Sequence, residues 1–316
     1  LVLVNGKRRH RSGVISESGD LVLGAQGPDL AAIPGLAVKQ VEVLRDGASA
    51  QYGSDAIAGV LNFVLRDAAD GFTVEARTGE FMEGDGSLLQ IAANAGFPLG
   101  DDGFANVTVQ WREQDPTSRS TSRTDEINLR ENGNPEQQAN VRNPAQIWGA
   151  PELIDDLNLF LNAGVQLSDS QELYFFGNYG SRENLGGFYF RNPNDRGGTY
   201  TEGDYRIVAD RDLIPGVGGQ TSTCPALLSP GGGGSGVPLD PVAVAADYAA
   251  MQNMPANCWV MNFEAPGGYT PNFGGVLTDA SAAMGIRGEM DNGLLYDFSA
   301  NIGRNEVEFF IKNTWN

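Results

Sequence analysis

The feature that most constrains this chain is a repeated alternation of apolar and polar residues after residue 70. In the clearest stretch, the apolar residues Leu157, Leu159 and Leu161 alternate with polar ones such as Asn158 and Asn162, and only Phe160 interrupts the polar side. A period of two is typical of a β-strand with one apolar face. About seven such stretches occur, at residues 72–77, 89–97, 105–111, 157–167, 173–179, 283–290 and 294–304. The sequence therefore predicts a mainly β chain built from one-sided strands.

The connections between these strands alternate in length. Those at Gly100, Ser168 and Asp291 are tight, whereas those near residues 113–154 and 184–280 are very long. Tight turns at one end and long loops at the other are typical of outer-membrane barrels, whose strands need about 9 to 11 residues to cross the bilayer. No apolar run approaches the ~18 residues of a transmembrane helix. We expect part of a large antiparallel transmembrane β-barrel; a soluble β-sandwich is the alternative.

Residues 1–67 have a different character. Short apolar pieces are separated by glycine, proline and polar turns, which predicts a small α/β unit. We therefore expect two regions, residues 1–67 and the strand region 68–316.

A resemblance to a known family rests on these first residues. Ile33-Pro34 is followed by the run VEVLRDGASAQYGSDAIAGVLN at residues 41–62, and the chain opens with a strand and turn at Val2 to Arg8. In this order the pieces resemble the C-terminal part of the plug in TonB-dependent outer-membrane receptors. The resemblance implies a fragment containing that part of the plug and the first barrel strands.

The same resemblance implies the function. It predicts binding and energy-coupled uptake of a scarce nutrient, either a siderophore, a carbohydrate or another organic ligand, without catalysis, cofactor or metal. The implied partners are the nutrient, outer-membrane lipid and TonB, whose box is missing from this sequence. The implied location is the cell outer membrane of a Gram-negative bacterium.

The charge distribution limits the possible ligands. The net charge is −19, and residues 1–67 contribute nothing to it. Such a chain repels a phosphate backbone, so nucleic acid is disfavoured as a partner. The basic run Lys7 to Arg11 is interpreted as a solvated hairpin after the Asn5-Gly6 turn. The acidity favours a neutral or cationic ligand, and so a carbohydrate or other organic nutrient over iron.

Two groups of residues are candidates for binding the ligand. By resemblance, the link after the first plug strand faces outward, which gives His10, Arg11, Ser12, Ser16 and Glu17. The second group lies in the aromatic-rich loop 184–280, and aromatic faces suit sugars and flat ligands. Its members are Tyr189, Trp259, Phe263 and Tyr269. Ordinary surface positions and simple loop packing are the alternatives.

Four charged residues of the plug are candidates for contacts with the barrel wall: Glu42, Arg45, Asp46 and Asp55. Burial of charge in a wet lumen costs less than in a dry core. The sequence thus suggests a plug held by charges and water, which could be released without breaking an apolar interface. The alternative is that these residues only cap turns.

The two cysteines, Cys224 and Cys258, favour a disulfide in an oxidising compartment, with two unpaired thiols as the alternative. No third metal ligand type lies near them. In the same loop, Asp240-Pro241 predicts a capped helix.

Two other classes of function compete with a receptor. A secreted or surface β-rich adhesin or carbohydrate-binding module would explain the alternation but not the plug-like beginning. A hydrolase is disfavoured because the chain has one His and neither a GxSxG nor an HExxH motif.

Overall fold

The computed structural model describes residues 1–15, 24, 26–45, 49–214, 218–231 and 238–315. The chain forms two compact units. The first, here called the plug-and-strand unit, comprises Leu1–Pro116, Pro151–Leu185 and Gly274–Phe310. The second, here called the loop unit, comprises Thr117–Ala150, Gly186–Phe273 and Ile311–Asn316.

The plug begins with a small mixed sheet of four strands in the order β2-β1-β4-β3. Strands β1 and β4 are parallel, and the other neighbours are antiparallel. One short helix, α1, and two 3-10 turns accompany the sheet. The elements are β1 (Val2–Val4), β2 (Lys7–Arg8), a turn (Gly35–Ala37), β3 (Val38–Arg45), α1 (Ser49–Tyr52), a turn (Ser54–Ala56) and β4 (Gly59–Leu65). This small α/β arrangement is the one that the sequence predicts.

Long strands follow the plug. The first five are β5 (Phe72–Gly79), β6 (Leu88–Leu99), β7 (Gly103–Gln114), β8 (Glu152–Ser168) and β9 (Gln171–Gly187). Four short strands then lie within the second long connection: β10 (Thr201–Glu202), β11 (Tyr205–Arg206), β12 (Val208–Asp210) and β13 (Cys258–Val260). The last two long strands are β14 (Asn272–Glu289) and β15 (Leu295–Lys312). The predicted boundary at residue 67 falls between β4 and β5.

The seven long strands form one sheet in chain order, from β5 through β9 to β14 and β15. Each pair from β5 to β9 is antiparallel, and like faces meet: Asn106 is opposite Asn162, and Val107 is opposite Leu161. The mainly β, antiparallel fold class predicted from the alternation is therefore confirmed.

The two faces of this sheet have opposite character, and the apolar face is the exposed one. Exposed apolar side chains on the strands include Phe72, Val74, Ile91, Val109, Leu159, Leu173, Phe298 and Ile302. The buried side chains of the other face are mostly polar: Asn94, Asn106, Thr108, Gln110, Asp156, Asn158, Asn162, Asn178 and Asp279. A β-sandwich would bury the apolar face between its sheets. The observed pattern is instead that of a membrane barrel with a lipid-facing outside and a polar inside.

Several strands are longer than the sequence suggested. Strands β8 and β9 have 17 residues each, and β14 and β15 have 18 each. The alternation predicted a start at residue 283 for β14, which begins at Asn272. Two glycines, Gly274 and Gly275, and the polar Asp279 interrupt the apolar pattern there. The correction matters because Asp279 contacts the plug.

The outward apolar face leads to a direct test. Val109 lies in the middle of β7 and is exposed. Replacing it with lysine puts a charge into hydrocarbon and should destabilise the complete protein in lipid vesicles by about 2 to 3 kcal/mol in a urea titration. Val109→Leu, the matched control, keeps an apolar side chain and should change stability little. Equal stability of the two variants would contradict a lipid-facing position.

The loop unit is a folded body with apolar clusters of its own. It contains helices α2 (Thr124–Asn132), α3 (Pro135–Asn140) and α4 (Pro241–Gln252). Helix α4 begins as the sequence predicts, because the Asp240 side chain accepts a hydrogen bond from the Val242 amide at 2.9 Å and proline occupies the first turn. One cluster contains Leu129, Ala145, Phe190, Leu239 and Val244, and another contains Leu227, Met251 and Val260.

Within the part of the chain that the structure describes, no helix has both the length and the apolar character needed to cross a membrane.

Candidate functional site

The plug contacts the inner face of the long strands along one short piece of chain, residues 5–13, which we call the latch segment. It starts at the Asn5-Gly6 turn, where both residues have positive φ, and includes β2. The sequence suggested a solvated hairpin here. The hairpin is confirmed, since β1 and β2 pair antiparallel across this turn, but it is not fully solvated, because the side chains of Lys7, Arg9 and His10 bond to residues on the strands.

The centre of the latch is a buried ion pair between Arg9 and Asp279. The two side chains are 3% and 2% exposed, respectively. The Arg9 guanidinium donates to the Asp279 carboxylate through Nη2. Through Nη1 it also donates to Asn178 Oδ1 at 2.6 Å and to Ser281 Oγ at 3.0 Å. A buried charge is tolerated when it is paired and hydrogen-bonded in this way.

Burial sets the electrostatics of this pair. Desolvation lowers the pKa of Arg9, and the neighbouring Asp279 carboxylate opposes that shift. Arginine still carries its charge at any physiological pH. The latch therefore holds a permanent cation that depends on its carboxylate partner.

Three further groups complete the surroundings of Asp279. Its Oδ2 lies 2.7 Å from His10 Nε2 and accepts a hydrogen bond from Asn305 Nδ2 at 2.9 Å, while Asn178 donates to Oδ1 at 2.7 Å. The Asn305 side chain also accepts from the Gly13 amide at 2.6 Å. The carboxylate thus joins one plug segment to three strands, β9, β14 and β15.

Glycine at position 303 makes the His10 contact possible. A Cβ atom there would collide with the imidazole ring of His10. Any larger residue at this point of β15 would displace the latch segment.

A second ion pair lies nearer the short turns of the strands. Lys7 Nζ is 2.8 Å from Asp297, whose other oxygen accepts from the Tyr174 hydroxyl at 2.7 Å. The Tyr174 ring lies between two cations, with Lys7 at 5.7 Å and Arg287 at 5.3 Å from its centroid. Arg287 in turn pairs with Glu172 at 2.7 Å.

Two more polar contacts join the plug to the strands. Asn5 donates to Asn162 at 3.1 Å, and Asp29 pairs with Arg182 at 3.0 Å. The contacts therefore extend along the inner face rather than forming a single point.

An apolar patch accompanies these polar contacts. Val4, Ala37 and Leu65 of the plug share one buried cluster with strand residues Phe160, Tyr174, Phe176 and Ala283. The sequence suggested that charges and water alone hold the plug, and the structure corrects this. Phe160, which interrupts the polar face of its strand, supplies part of the patch. Release of the plug must therefore expose some apolar surface.

A cavity of about 390 Å³ lies beside the latch. Its lining combines latch residues with strand residues, namely Val4, Lys7, Arg8, Arg9, His10, Arg11, Phe160, Phe176, Gly177, Ser281, Ala282, Ala283, Asn301, Ile302 and Gly303. The size is within the range of small-molecule sites. Two of the predicted ligand residues, His10 and Arg11, line it.

The other predicted plug residues lie elsewhere. Ser12 bonds within the plug, since its amide donates to the Gly27 carbonyl at 2.8 Å. Ser16 and Glu17 lie outside the described residues. Their role in binding stays a prediction.

Two of the four charged residues proposed to touch the wall, Glu42 and Asp55, have partners inside the plug, and wall contacts of Arg45 and Asp46 stay a prediction. Glu42 accepts from Gln40 at 2.9 Å and from Asn62 at 2.8 Å. Asp55 pairs with Arg8 and, at 3.6 Å, with Arg11. Arg45 is exposed at the end of β3, and Asp46 lies outside the described residues. The wall contacts belong to Asn5, Lys7, Arg9, His10 and Asp29, which sequence reasoning missed.

In the loop unit, the four predicted aromatic residues do not converge. Tyr189 and Tyr269 line separate cavities. Trp259 pairs with Ala209 in the β12–β13 ladder, and Phe263 is exposed at the end of a 3-10 turn, Met261–Phe263. Tyr189 and Tyr269 therefore belong to different cavities, and the role of the four residues in binding stays a prediction.

A disulfide and a carboxylate fasten the β12–β13 region. Cys224 and Cys258 form a disulfide with Cα atoms 5.7 Å apart. Asp210 accepts from the Thr223 amide and from Asn257 Nδ2, both at 2.8 Å, so it ties the residues next to both cysteines. The Thr223 amide hydrogen bond lowers the pKa of Asp210 to about 2. The carboxylate thus stays ionised at any ordinary pH.

The comparisons with known proteins agree with this arrangement. Residues 1–60 match the family model described as the TonB-dependent Receptor Plug Domain. The chain is similar to a mutant ferric enterobactin receptor of Pseudomonas aeruginosa solved with enterobactin, with a TM-score of 0.50 and 15% identity over 96% of this chain and 33% of that chain.

Two siderophore receptors are also similar to this chain. For the one from Pseudomonas aeruginosa the TM-score is 0.48 and the identity 12%, over 98% of this chain and 33% of that chain. For the one from Acinetobacter baumannii the values are 0.43 and 13%, over 98% and 36%. This chain therefore spans about a third of the length of these receptors.

Proposed function

We propose that this chain, which carries the plug and barrel strands of a TonB-dependent outer-membrane receptor, binds a scarce organic nutrient and takes part in its energy-coupled uptake. The proposal places it in the outer membrane of a Gram-negative bacterium, with TonB as the energising partner.

The observation that carries the proposal is the way in which the plug is held. Its latch segment is fixed to the inner face by ion pairs and hydrogen bonds at Asn5, Lys7, Arg9 and His10. A modest apolar patch adds to these contacts. Such bonds can be exchanged for bonds to water, so a pulled plug can leave the wall and return to it. This favours a movable plug over a permanent core.

The exposed apolar face supports the location. A secreted adhesin would keep such a face in water, which soluble proteins avoid over large areas. A lipid-facing barrel needs it. The outward position of residues such as Phe72 and Phe298, both largely exposed, therefore favours a membrane receptor over the adhesin.

Two nutrient classes are open. The similar receptor of Pseudomonas aeruginosa was solved with enterobactin, which makes a ferric siderophore one candidate. The acidity of this chain favours a neutral organic nutrient such as a carbohydrate. The uptake experiment must therefore include both ferric siderophores and carbohydrates.

The test uses the gene that encodes this chain in its native host, with and without TonB. We expect the protein in the outer-membrane fraction of both strains. We expect radiolabelled nutrient, drawn from ferric siderophores and oligosaccharides, to accumulate only when both receptor and TonB are present. Recovery of the protein from the culture medium without detergent would contradict the proposal and favour an adhesin. Accumulation equal in the two strains would contradict energy coupling.

A further inference from the structure

The loop unit contains a cavity of about 320 Å³ that the latch does not involve. Four pieces of chain surround it: the start of α2, the segment around residue 146, and residues 189–192 and 195–197. Its lining residues are Arg123, Asp125, Gln146, Tyr189, Phe190, Asn192, Asp195, Arg196 and Gly197. The volume is at the lower end of small-molecule sites and suits a single ring.

Two buried amide side chains distinguish this cavity. Gln146 is 1% exposed and Asn192 is 3% exposed. Within the described part of the chain, neither Gln146 Nε2 nor Asn192 Nδ2 has a hydrogen-bond partner. A buried amide group left unpaired has lost its hydrogen bonds to water without replacing them, which destabilises the folded chain. Such groups are rare in native proteins and call for a specific explanation.

The orientation of both amides is fixed by the backbone. Gln146 Oε1 accepts a hydrogen bond from the Phe190 amide at 2.8 Å, and Asn192 Oδ1 accepts from the Asn194 amide at 2.9 Å. An amide N–H can face only an acceptor, so neither side chain can be flipped without losing its bond. The groups left over are therefore two NH₂ donors, which need acceptor oxygens.

Charge in and around the cavity is balanced. The lining has two arginines and two aspartates, and Arg123 Nε pairs with Asp125 at 3.1 Å. The loop unit as a whole has 9 Lys or Arg and 12 Asp or Glu, far from the acidity of the whole chain. The cavity therefore does not repel a ligand with a single carboxylate, nor does it demand one.

An aromatic surface lies at the mouth of the cavity. Tyr189 is 55% exposed, and its ring meets Trp148 edge to face with the centroids 5.5 Å apart. Phe188 contacts Tyr189 on another side at 5.2 Å. The exposed Tyr189 ring, which Trp148 and Phe188 contact, gives a flat apolar face for a sugar ring. The unpaired NH₂ donors of Gln146 and Asn192 belong to the buried part of the lining.

We propose that this cavity binds a sugar ring bearing an acceptor-only oxygen, either the carboxylate of a uronic acid or the carbonyl of an N-acetyl group. The oxygen accepts hydrogen bonds from Gln146 Nε2 and Asn192 Nδ2, and the ring lies on Tyr189. The inference rests on the proposed function, since it assigns the nutrient, or part of it, to a class.

The test is equilibrium dialysis of the complete, detergent-solubilised receptor against radiolabelled glucose, glucuronate and N-acetylglucosamine. We expect glucuronate or N-acetylglucosamine to bind about tenfold or more tightly than glucose, which offers only hydroxyl groups. Whichever of the two is preferred identifies the acceptor oxygen. Equal or undetectable binding of all three would overturn the proposal.

Substitutions locate the binding. Gln146→Glu and Asn192→Asp keep the oxygens that accept from Phe190 and Asn194, so these two hydrogen bonds are retained, but each replaces the NH₂ donor with an acceptor. We expect each to weaken the preferred sugar about tenfold or more. Gln252→Glu, which adds the same charge at an exposed position of α4, should leave binding unchanged. If Gln146→Glu and Asn192→Asp behave like Gln252→Glu, the proposed site is wrong.

A removal of the aromatic platform gives a second, independent readout. Tyr189→Ala should weaken all three sugars, whereas Tyr205→Ala, which removes a similarly exposed tyrosine elsewhere in the loop unit, should not. Failure of these binding tests while TonB-dependent uptake of another nutrient persists would reject this site and leave the receptor function standing. Sugar binding that is intact while uptake does not depend on TonB would support this site and contradict energy-coupled uptake.

Discussion

Replacing Asp279 with alanine should weaken the hold of the strands on the plug by about 3 to 5 kcal/mol, because it leaves Arg9 buried without its counter-charge. The Arg9 side chain is almost completely buried, and only the neutral groups of Asn178 and Ser281 would remain beside it. Arginine cannot escape the cost by losing its proton. The latch segment should therefore leave the wall far more often.

Hydrogen exchange of the complete receptor measures this effect. In the peptide covering residues 1–15, we expect exchange faster by two orders of magnitude or more in Asp279→Ala, since each 1.4 kcal/mol is a factor of about ten. Asp279→Asn keeps the shape of the side chain and should behave similarly, because the charge is what Arg9 needs. Lys39→Ala, which breaks the exposed Lys39–Asp67 pair of the plug, is the matched control and should cost less than about 1 kcal/mol. Exchange in Asp279→Ala no faster than in Lys39→Ala would show that the buried pair does not hold the plug.

Reduction of the Cys224–Cys258 disulfide should destabilise the loop unit by about 4 kcal/mol in the chain-entropy model, because the bond closes a loop with a sequence separation of 34. The β12–β13 ladder lies beside the bond, with Asp210 opposite Cys258. We expect hydrogen exchange in the peptides covering these two strands to accelerate on reduction. The latch peptide should not respond.

Two variants separate the covalent bond from the carboxylate that holds the same segments. The double substitution of both cysteines by serine should match the reduced protein and be insensitive to reductant. Asp210→Asn removes the ionised acceptor for Thr223 and Asn257, and should add to the effect of reduction. If reduction leaves exchange in β12 and β13 unchanged, the carboxylate and the surrounding packing suffice, and the disulfide does not determine the stability of this region.

The strand faces were predictable because their cause is local. A side chain on a strand faces lipid or lumen according to its parity, so the alternation through Leu157 and Leu159 predicts the sheet without knowledge of any partner. The start of β14 was not predictable. Paired glycines and an aspartate interrupt the alternation of apolar and polar residues there. Asp279 nevertheless lies two residues before Ser281 and four before Ala283, so it faces inward as they do.

The latch could not be predicted in the same way, because its partners are far apart in the chain. Arg9 and Asp279 are separated by 270 residues. A basic run in the plug and carboxylates on polar strand faces are both visible in the sequence, and matching them would have suggested Lys7 to Arg11 as the contact. Which cation meets which carboxylate depends on the register between plug and wall, which no local pattern encodes.

The loop unit shows a different limit. The aromatic residues are conspicuous in the sequence, yet packing disperses them. Gln146 and Asn192 have no special sequence context, and their importance comes from burial and from amide orientation.

Cations recur at every second position of the latch segment, at Lys7, Arg9 and Arg11. Lys7 now meets Asp297 near the short turns, and Arg9 meets Asp279 further along the wall. In an extended chain two residues span about 6.6 Å. A slide of that length toward the short turns would bring Arg9 to Asp297 and Arg11 to Asp279, restoring opposite charges at both carboxylates. The equal spacing of these cations would therefore let a pulled segment move by two residues and still place a cation beside each of the two carboxylates.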